Sequence, residues 1–379
     1  MSSRPRIAIV TNIAWNIYNF RRGLAIAIKN AGYDPILIAA DDSYGAKLSQ
    51  EGWDFVPVNH LERTGVNPIK DLMLFNEFIK IYKEYNISFA LHYNAKPLVY
   101  ASLAAAFLEI PFIPNITGLA GPFSGNRKLI AFLVTKLYRW ALNKSEKVVF
   151  QNNEDLEFFV KNKIINLEKA ILIEGSGVNM DNFKADLFEA PSDENTVFLM
   201  FARLSRAKGV EEYVNAARFI KNLYPKVTFK LAGPFDSDKL AIRKEEVEEW
   251  VNEGVIEYLG VSDFIQREIS KAHAIVYPSY YREGVPKSLI ESAAMSKPII
   301  TTDNVGCREV VRDGVNGYLI PVRDSASLAA AFTKFINLDK DQRDSFGEES
   351  RKIATSRFDE KIVIEAYMKL INRSMLITE

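Results

Sequence analysis

Two glutamates eight residues apart, Glu283 and Glu291, flank a Gly-Val-Pro turn in the stretch YREGVPKSLIESAAMSKPII. The apolar run AHAIVYPS ends just upstream, so the first acid stands where a buried strand would surface. Pro286 suits the opening turn of a helix, where its missing N–H costs nothing. Lys287, Ser288 and Leu289 would then offer unpaired N–H groups to an anion. The helix dipole alone favours an acid such as Glu291 near a helix start, whereas the neighbours of Glu283 suggest no structural task for it.

Cations stand at a second strand end. In FARLSRAKGV, Arg203 and Lys208 precede Gly209 and a helical segment. Two cations five residues apart at a helix entry suit a phosphate or diphosphate, and a surface turn with solvated cations is the alternative. Asp236 and Asp238 in KLAGPFDSD form an acid-x-acid pair of a kind that can hold a divalent cation, but no third ligand stands near them. They read as loop acids, and no metal is expected. Gly260, ending YLGVSD, would let the backbone approach a flat base. Hydrolytic signatures such as G-x-S-x-G, H-E-x-x-H and C-x-x-C do not occur. The first strand meets no glycine before Gly23, which argues against a dinucleotide enzyme.

These residues need strands to carry them, and the chain alternates β-type runs with helical segments, the pattern of parallel α/β architecture. The first half offers RIAIVTN, DPILIAA, WDFVPVN, ISFALHYN, PFIPNIT and KVVFQN, and the second offers TVFLMFAR, VTFKLAG, IEYLGV, AHAIVYPS, KPIITTD and GYLIPV. A polar, acidic stretch between them reads as a linker. The expected organisation is a first Rossmann-like domain over 1–178, a linker over 179–195 and a second such domain over 196–358. A helix over 359–379 packs back toward the first domain. Ligand is expected between two doubly wound domains at the carboxyl ends of their strands.

Bulk properties agree with this division. At 379 residues the chain is too long for one core. A single cysteine, Cys307, with three histidines excludes a disulfide framework and a structural zinc site and fits a reducing cytosol. Zero net charge argues against nucleic-acid binding. Residues 1–165 nonetheless hold 19 Lys+Arg against 14 Asp+Glu, which suits one half facing an anionic surface. MSSRPR leads straight into IAIVTN without signal-peptide features, and no uncharged apolar run is long enough to span a membrane. The segment 127–147 carries six cations and one acid. At helical spacing Ile130, Val134, Leu137, Tyr138 and Ala141 form a core stripe. The other side mixes Lys128, Lys136, Arg139 and Lys144 with Phe132, Leu133 and Trp140, a composition that suits an interfacial helix on an anionic leaflet. Packing of Phe132, Leu133 and Trp140 under a loop is the alternative.

RLSRAKG, followed by PSYYREGVPKSLIESAAMSKPII and GCREVVRDGVNGYLIPV, resembles the retaining nucleotide-sugar glycosyltransferases of the GT-B type. Its strongest element is the E-x7-E motif formed by Glu283 and Glu291. Within that family the chain resembles bacterial enzymes that extend polyprenyl-diphosphate-linked glycans, the N-acetylgalactosaminyltransferases among them. NIYNFRRGL near the start is similar to their early loop.

The resemblance implies two Rossmann-like domains facing across a cleft and metal-independent, retaining transfer of a hexose or N-acetylhexosamine. The donor is expected to be UDP-linked, and the acceptor a lipid-linked glycan at the cytoplasmic face of the cell membrane. Arg203 and Lys208 would stabilise the departing diphosphate, Glu283 would hold sugar hydroxyls and Glu291 the ribose. Backbone groups of Gly284, Val285, Lys287, Ser288 and Leu289 would contact sugar and phosphate, with Pro286 replacing a common glycine. Asn16, Arg21, His92, Lys96 and Thr117 are the candidate acceptor residues, His92 and Lys96 because they follow the strand ISFALHYN. The competing readings are a soluble transferase acting on a free sugar or polysaccharide, an epimerase of the same shape and a non-catalytic sugar-nucleotide-binding protein.

Overall fold

The continuous run Ile7-Ala8-Ile9-Val10 is apolar at every position because the strand it forms is covered on both faces. Ile7 and Ile9 join the cluster that contains Leu24, Ile28 and Tyr367, while Ala8 and Val10 join the one around Phe78, Tyr82 and Ala101. The computed structural model describes residues 4–62, 67–119, 128–192, 195–236, 238–262 and 264–377. It divides into two units, one of Met1–Ser176 with Glu360–Glu379, the other of Gly177–Asp359.

The first unit contains seven parallel strands: β1 (Arg6–Ile13), β2 (Asp34–Ala40), β3 (Asp54–Pro57), β4 (Ile87–Tyr93), β5 (Phe112–Ile116), β6 (Val148–Phe150) and β7 (Ala170–Leu172). Their order is β3-β2-β1-β4-β5-β6-β7, so the winding reverses between β1 and β4. Helix Glu360–Ile377 lays Val363, Tyr367 and Ile371, spaced four apart, onto this unit. The Tyr367 hydroxyl donates to the side chain of Asn115 in β5.

The second unit repeats the plan with six parallel strands: β8 (Val197–Phe201), β9 (Thr228–Ala232), β10 (Glu257–Tyr258), β11 (Ala274–Tyr277), β12 (Ile299–Thr302) and β13 (Gly317–Ile320). Their order is β10-β9-β8-β11-β12-β13, and here the winding reverses between β8 and β11. Phe198 and Met200 of β8 pack into one cluster, Leu199 and Phe201 into the other, again covering both faces.

The stretch 179–195, expected as a linker, needs correction. Met180 and Phe183 are buried in the core of the second unit, and Arg351 donates to their carbonyls at 3.2 and 2.6 Å. The polar composition of the stretch conceals two apolar side chains that anchor it.

Candidate active site

Strands β8 and β11 end side by side, and the turn after each carries half of an ion pair. Beyond β8 the chain makes a single 3-10 turn, Arg206–Lys208, and enters helix Val210–Leu223 through Gly209 at φ 81°. A Cβ on Gly209 would lie 2.1 Å from the Pro278 carbonyl oxygen, so glycine alone lets this turn press against the end of β11. The N–H groups of Tyr280 and Tyr281 both donate to the Ala207 carbonyl at 3.1 Å, fastening the two turns together. Lys208 Nζ then donates to both Glu283 carboxylate oxygens, at 2.9 and 2.8 Å.

This pair is largely withdrawn from water, with side chains 8% and 18% exposed. Tyr277 Oη donates to Glu283 Oε1 at 2.9 Å, and Ser279 Oγ stands 3.3 Å from the same oxygen. Burial, and then the charge of Glu283, push the Tyr277 phenol well above its ordinary range, so it remains a donor. The Tyr281 and Tyr277 rings lie 5.0 and 5.5 Å from Lys208 Nζ, favourable places for a cation. Burial, reinforced by Glu283, raises the Cys307 thiol to about 12, which leaves it unreactive. Gly306, at φ 83°, backs the Glu283–Gly284 turn, since a Cβ there would sit 1.9 Å from the Gly284 carbonyl oxygen.

Arg203, at the end of β8, is ion-paired with Asp236, whose side chain is only 2% exposed. Asp236 is therefore not a solvated loop acid but the anchor of a site cation. Asp238 fits its expectation better: it is exposed, and its Oδ1 accepts from the Leu240 N–H at 2.8 Å.

Helix Lys287–Ala294 starts with Pro286 as its N-cap residue rather than within its first turn. The Leu289 N–H donates to the Pro286 carbonyl at 3.1 Å, so it is not the available anion donor that the sequence suggests. Lys287 Nζ donates to the Gly177 carbonyl at 2.5 Å. Gly284 and Val285 are buried, Ser288 is half-buried on the first turn, and Glu291 is half-buried on the second. Desolvation pushes the Glu291 carboxyl up to about 7, opposed by Lys287.

In the first unit, Asn16 Nδ2 lies 2.5 Å from Asn12 Oδ1 and 3.4 Å from Asn94 Oδ1, at the carboxyl ends of β1 and β4. Thr117 follows β5 and is half-buried. Lys96 is paired with Asp71 at 2.9 Å, with side chains 14% and 7% exposed. His92 is a correction. It is fully buried within β4, hydrogen-bonded through Nε2 to Tyr82 Oη and through Nδ1 to Ser102 Oγ, both at 2.8 Å. Burial lowers its pKa to about 3, so it is a neutral core residue. Strand alternation directs it toward helices Pro68–Glu84 and Ala95–Phe107, away from the strand end.

On helix Lys128–Leu142, Tyr138, Ala141 and Leu142 are buried, whereas Phe132 and Leu133 are each 57% exposed and Trp140 is 66% exposed. Lys136 Nζ stands 5.5 Å from the Phe132 ring. Arg139 is half-exposed and donates to the carbonyls of Lys163 and Asn162 at 2.8 and 3.0 Å, so part of its guanidinium is already engaged. The Lys128 side chain lies outside the described residues. Tyr277 and Ser279, which donate to Glu283, have no motif of their own, and Asp236 stands out in sequence only as half of an acid-x-acid pair; the adjacency of strand ends is the signal that would have given all three their partners.

Comparison with known proteins agrees with this geometry. A family model described as glycosyl transferases group 1 matches residues 182–353, and one described as glycosyl transferase 4-like matches residues 6–152. The chain is 26% identical to the N,N'-diacetylbacillosaminyl-diphospho-undecaprenol alpha-1,3-N-acetylgalactosaminyltransferase of Campylobacter jejuni, over 97% of this chain and 98% of the relative. It is 23% identical to the UDP-Gal:alpha-D-GlcNAc-diphosphoundecaprenol alpha-1,3-galactosyltransferase of Escherichia coli, over 71% of each. Among solved structures, a glycosyltransferase of Rickettsia africae superimposes with a TM-score of 0.77 at 20% identity, covering 97% of this chain and 98% of that one. HepE of Anabaena, solved with UDP and glucose, gives 0.76 at 18% identity, covering 97% and 99%. With a switch point in each of two parallel sheets and glycosyltransferase family matches over both units, the chain is a GT-B glycosyltransferase, its second unit matching glycosyl transferases group 1.

Proposed function

We propose that the chain transfers a hexose or N-acetylhexosamine from a UDP-sugar, with retention at the anomeric carbon, to a polyprenyl-diphosphate-linked glycan. The observation that carries this reading is the buried Lys208–Glu283 pair at the β8/β11 switch point, with Arg203–Asp236 alongside. The two relatives named for transfer onto undecaprenyl-diphosphate-linked glycans support the choice of acceptor. The neighbour solved with UDP and glucose supports the choice of donor.

In the reaction the bond from the sugar carbon to the diphosphate oxygen breaks and charge gathers on the leaving group. Lys208 and Arg203 stabilise that charge from fixed positions, so no reorganisation is needed at the moment of cleavage. Each cation holds a carboxylate, and the donor diphosphate takes the carboxylate's place. Glu283 keeps the Tyr277 hydrogen bond and turns its other lone pairs to sugar hydroxyls. Glu291 accepts from the ribose hydroxyls. The acceptor oxygen bonds to the sugar carbon on the face the diphosphate leaves, and its proton passes to the departing phosphate.

Phe132, Leu133 and Trp140, with Lys136 among them, seat the first unit on the anionic cytoplasmic leaflet where such an acceptor resides. The test is UDP release from UDP-sugars with and without a synthetic polyprenyl-diphosphate-linked glycan. Release that requires this acceptor supports the reading. Release with water or free sugar alone overturns it, as does no release with any UDP-sugar offered.

A further inference from the structure

Arg21, at the joint between helices Ala14–Phe20 and Arg22–Asn30, is 5% exposed. Its guanidinium carbon lies 4.0 Å above the centre of the Tyr93 ring. Among the described residues no carboxylate pairs with it and no side-chain hydrogen bond engages it. Buried cations ordinarily have a counter-ion, because desolvation without one is costly. Tyr93 is itself 1% exposed, and its hydroxyl is buried with no hydrogen-bond partner of good geometry. Its neighbour Tyr367 gives its own proton to Asn115, which leaves the Tyr367 oxygen as the nearest weak, uncharged acceptor for the Tyr93 phenol. A cation without a carboxylate thus lies over the ring of a phenol with no well-formed hydrogen bond, and one anionic oxygen would serve both.

The place is also unusual in its backbone. One residue beyond Tyr93, Asn94 sits at φ 65° and ψ 158°, a region that only glycine enters readily. Its Oδ1 accepts from the Asn12 N–H at 3.2 Å and from Asn16 Nδ2, which locks the strained conformation at the carboxyl end of β4. Strain of this kind gathers where a chain is shaped for a ligand.

We propose that Arg21 and Tyr93 receive one phosphate of the acceptor's diphosphate. The assignment of this anion to the acceptor rests on the diphosphate-linked acceptor proposed above. The donor's own phosphates have Arg203 and Lys208 in the second unit, so the first-unit cation is left for the acceptor. The fork of a guanidinium matches phosphate oxygens two at a time, and a phenol adds a third donor.

Steady-state transfer by Arg21→Gln, Arg21→Lys and Tyr93→Phe tests this with two acceptors, a short polyprenyl-diphosphate-linked sugar and the same sugar on an uncharged alkyl chain. Arg21→Gln should raise KM for the diphosphate acceptor about ten- to a hundredfold, the range of a lost charge-assisted hydrogen bond. KM for the donor and for the uncharged acceptor should not change. Arg21→Lys should recover part of the loss, and Tyr93→Phe should raise KM about threefold to tenfold. The melting temperature of Arg21→Gln should fall by no more than a few degrees, the share of the stacking lost from the Tyr93 ring, since no native ion pair is broken. An unchanged diphosphate-acceptor KM overturns the proposal, and so does an equal loss on both acceptors with a larger fall in melting temperature. If the wild type transfers to neither acceptor, the proposed function fails and calorimetry with inorganic pyrophosphate decides the site independently. Two sites in the wild type and one in Arg21→Gln support it, and identical isotherms overturn it.

Discussion

Replacing Lys208 with alanine separates its observed task, neutralising Glu283, from its proposed one, receiving the leaving diphosphate. Removing one partner of a buried pair costs about 3–5 kcal/mol when the other is left without compensation. Glu283 keeps Tyr277 as a donor and Ser279 nearby, and its side chain retains 18% exposure, which lowers the expected cost to about 2 kcal/mol. For a unit the size of Gly177–Asp359 that is a fall of about 4–8 °C in melting temperature. Loss of one preorganised charge at the leaving group lowers kcat about a hundred- to a thousandfold. The double variant Lys208→Ala/Glu283→Gln removes the stranded charge, so stability should return toward that of the wild type while kcat stays depressed. Paired melting curves and acceptor-dependent UDP release measure both quantities. Were Lys208→Ala to turn over within threefold of wild type, or the double variant to regain kcat together with stability, Lys208 would only be neutralising Glu283 and the catalytic assignment would fall.

Glu291 gives a pH signature. With its carboxyl held near 7 in the folded chain against an ordinary 4.5, the folded state binds the extra proton between those values. Its contribution to stability is full below about 4.5 and is lost as pH rises through about 7. Denaturant unfolding at pH 5 and 8 should therefore show wild type losing stability relative to Glu291→Gln, and parallel losses would contradict the assignment. On the proposed ribose role Glu291 accepts as a carboxylate, so UDP affinity should strengthen from pH 6 to 8 in wild type and stay flat in Glu291→Gln. The exposed helix face makes a separate prediction: Phe132→Ser/Trp140→Ser should no longer sediment with phosphatidylglycerol vesicles while melting at the wild-type temperature. Undiminished sedimentation of that variant would remove the helix from the membrane reading.

Which parts of this molecule the sequence reveals follows from the range of the interactions concerned. A strand buried on both faces must be apolar at consecutive positions, so RIAIV and VFLMF announce themselves and their repetition yields two doubly wound units. The proposed donor motif is legible for a similar reason, since its groups are concentrated in two short turns. His92 was misplaced because strand alternation decides its face, and one residue separates the buried histidine from Asn94 at the strand end. Leu289 was misjudged because the N–H pairing at a helix start depends on where the cap falls. Least visible was the pairing of the charges. Lys208 and Glu283 are 75 residues apart and Arg203 and Asp236 are 33 apart, so only the adjacency of strand ends brings them together. That adjacency changes what the motif means. Read along the chain, Arg203 and Lys208 are cations awaiting an anion; in the fold each already holds one. A carboxylate that keeps other hydrogen-bond partners can release its cation to a diphosphate at small cost, and Glu283 retains Tyr277 when it does. The pairs therefore keep both cations in place without leaving them bare, and on the proposed function the donor would enter by exchanging partners rather than by assembling the site.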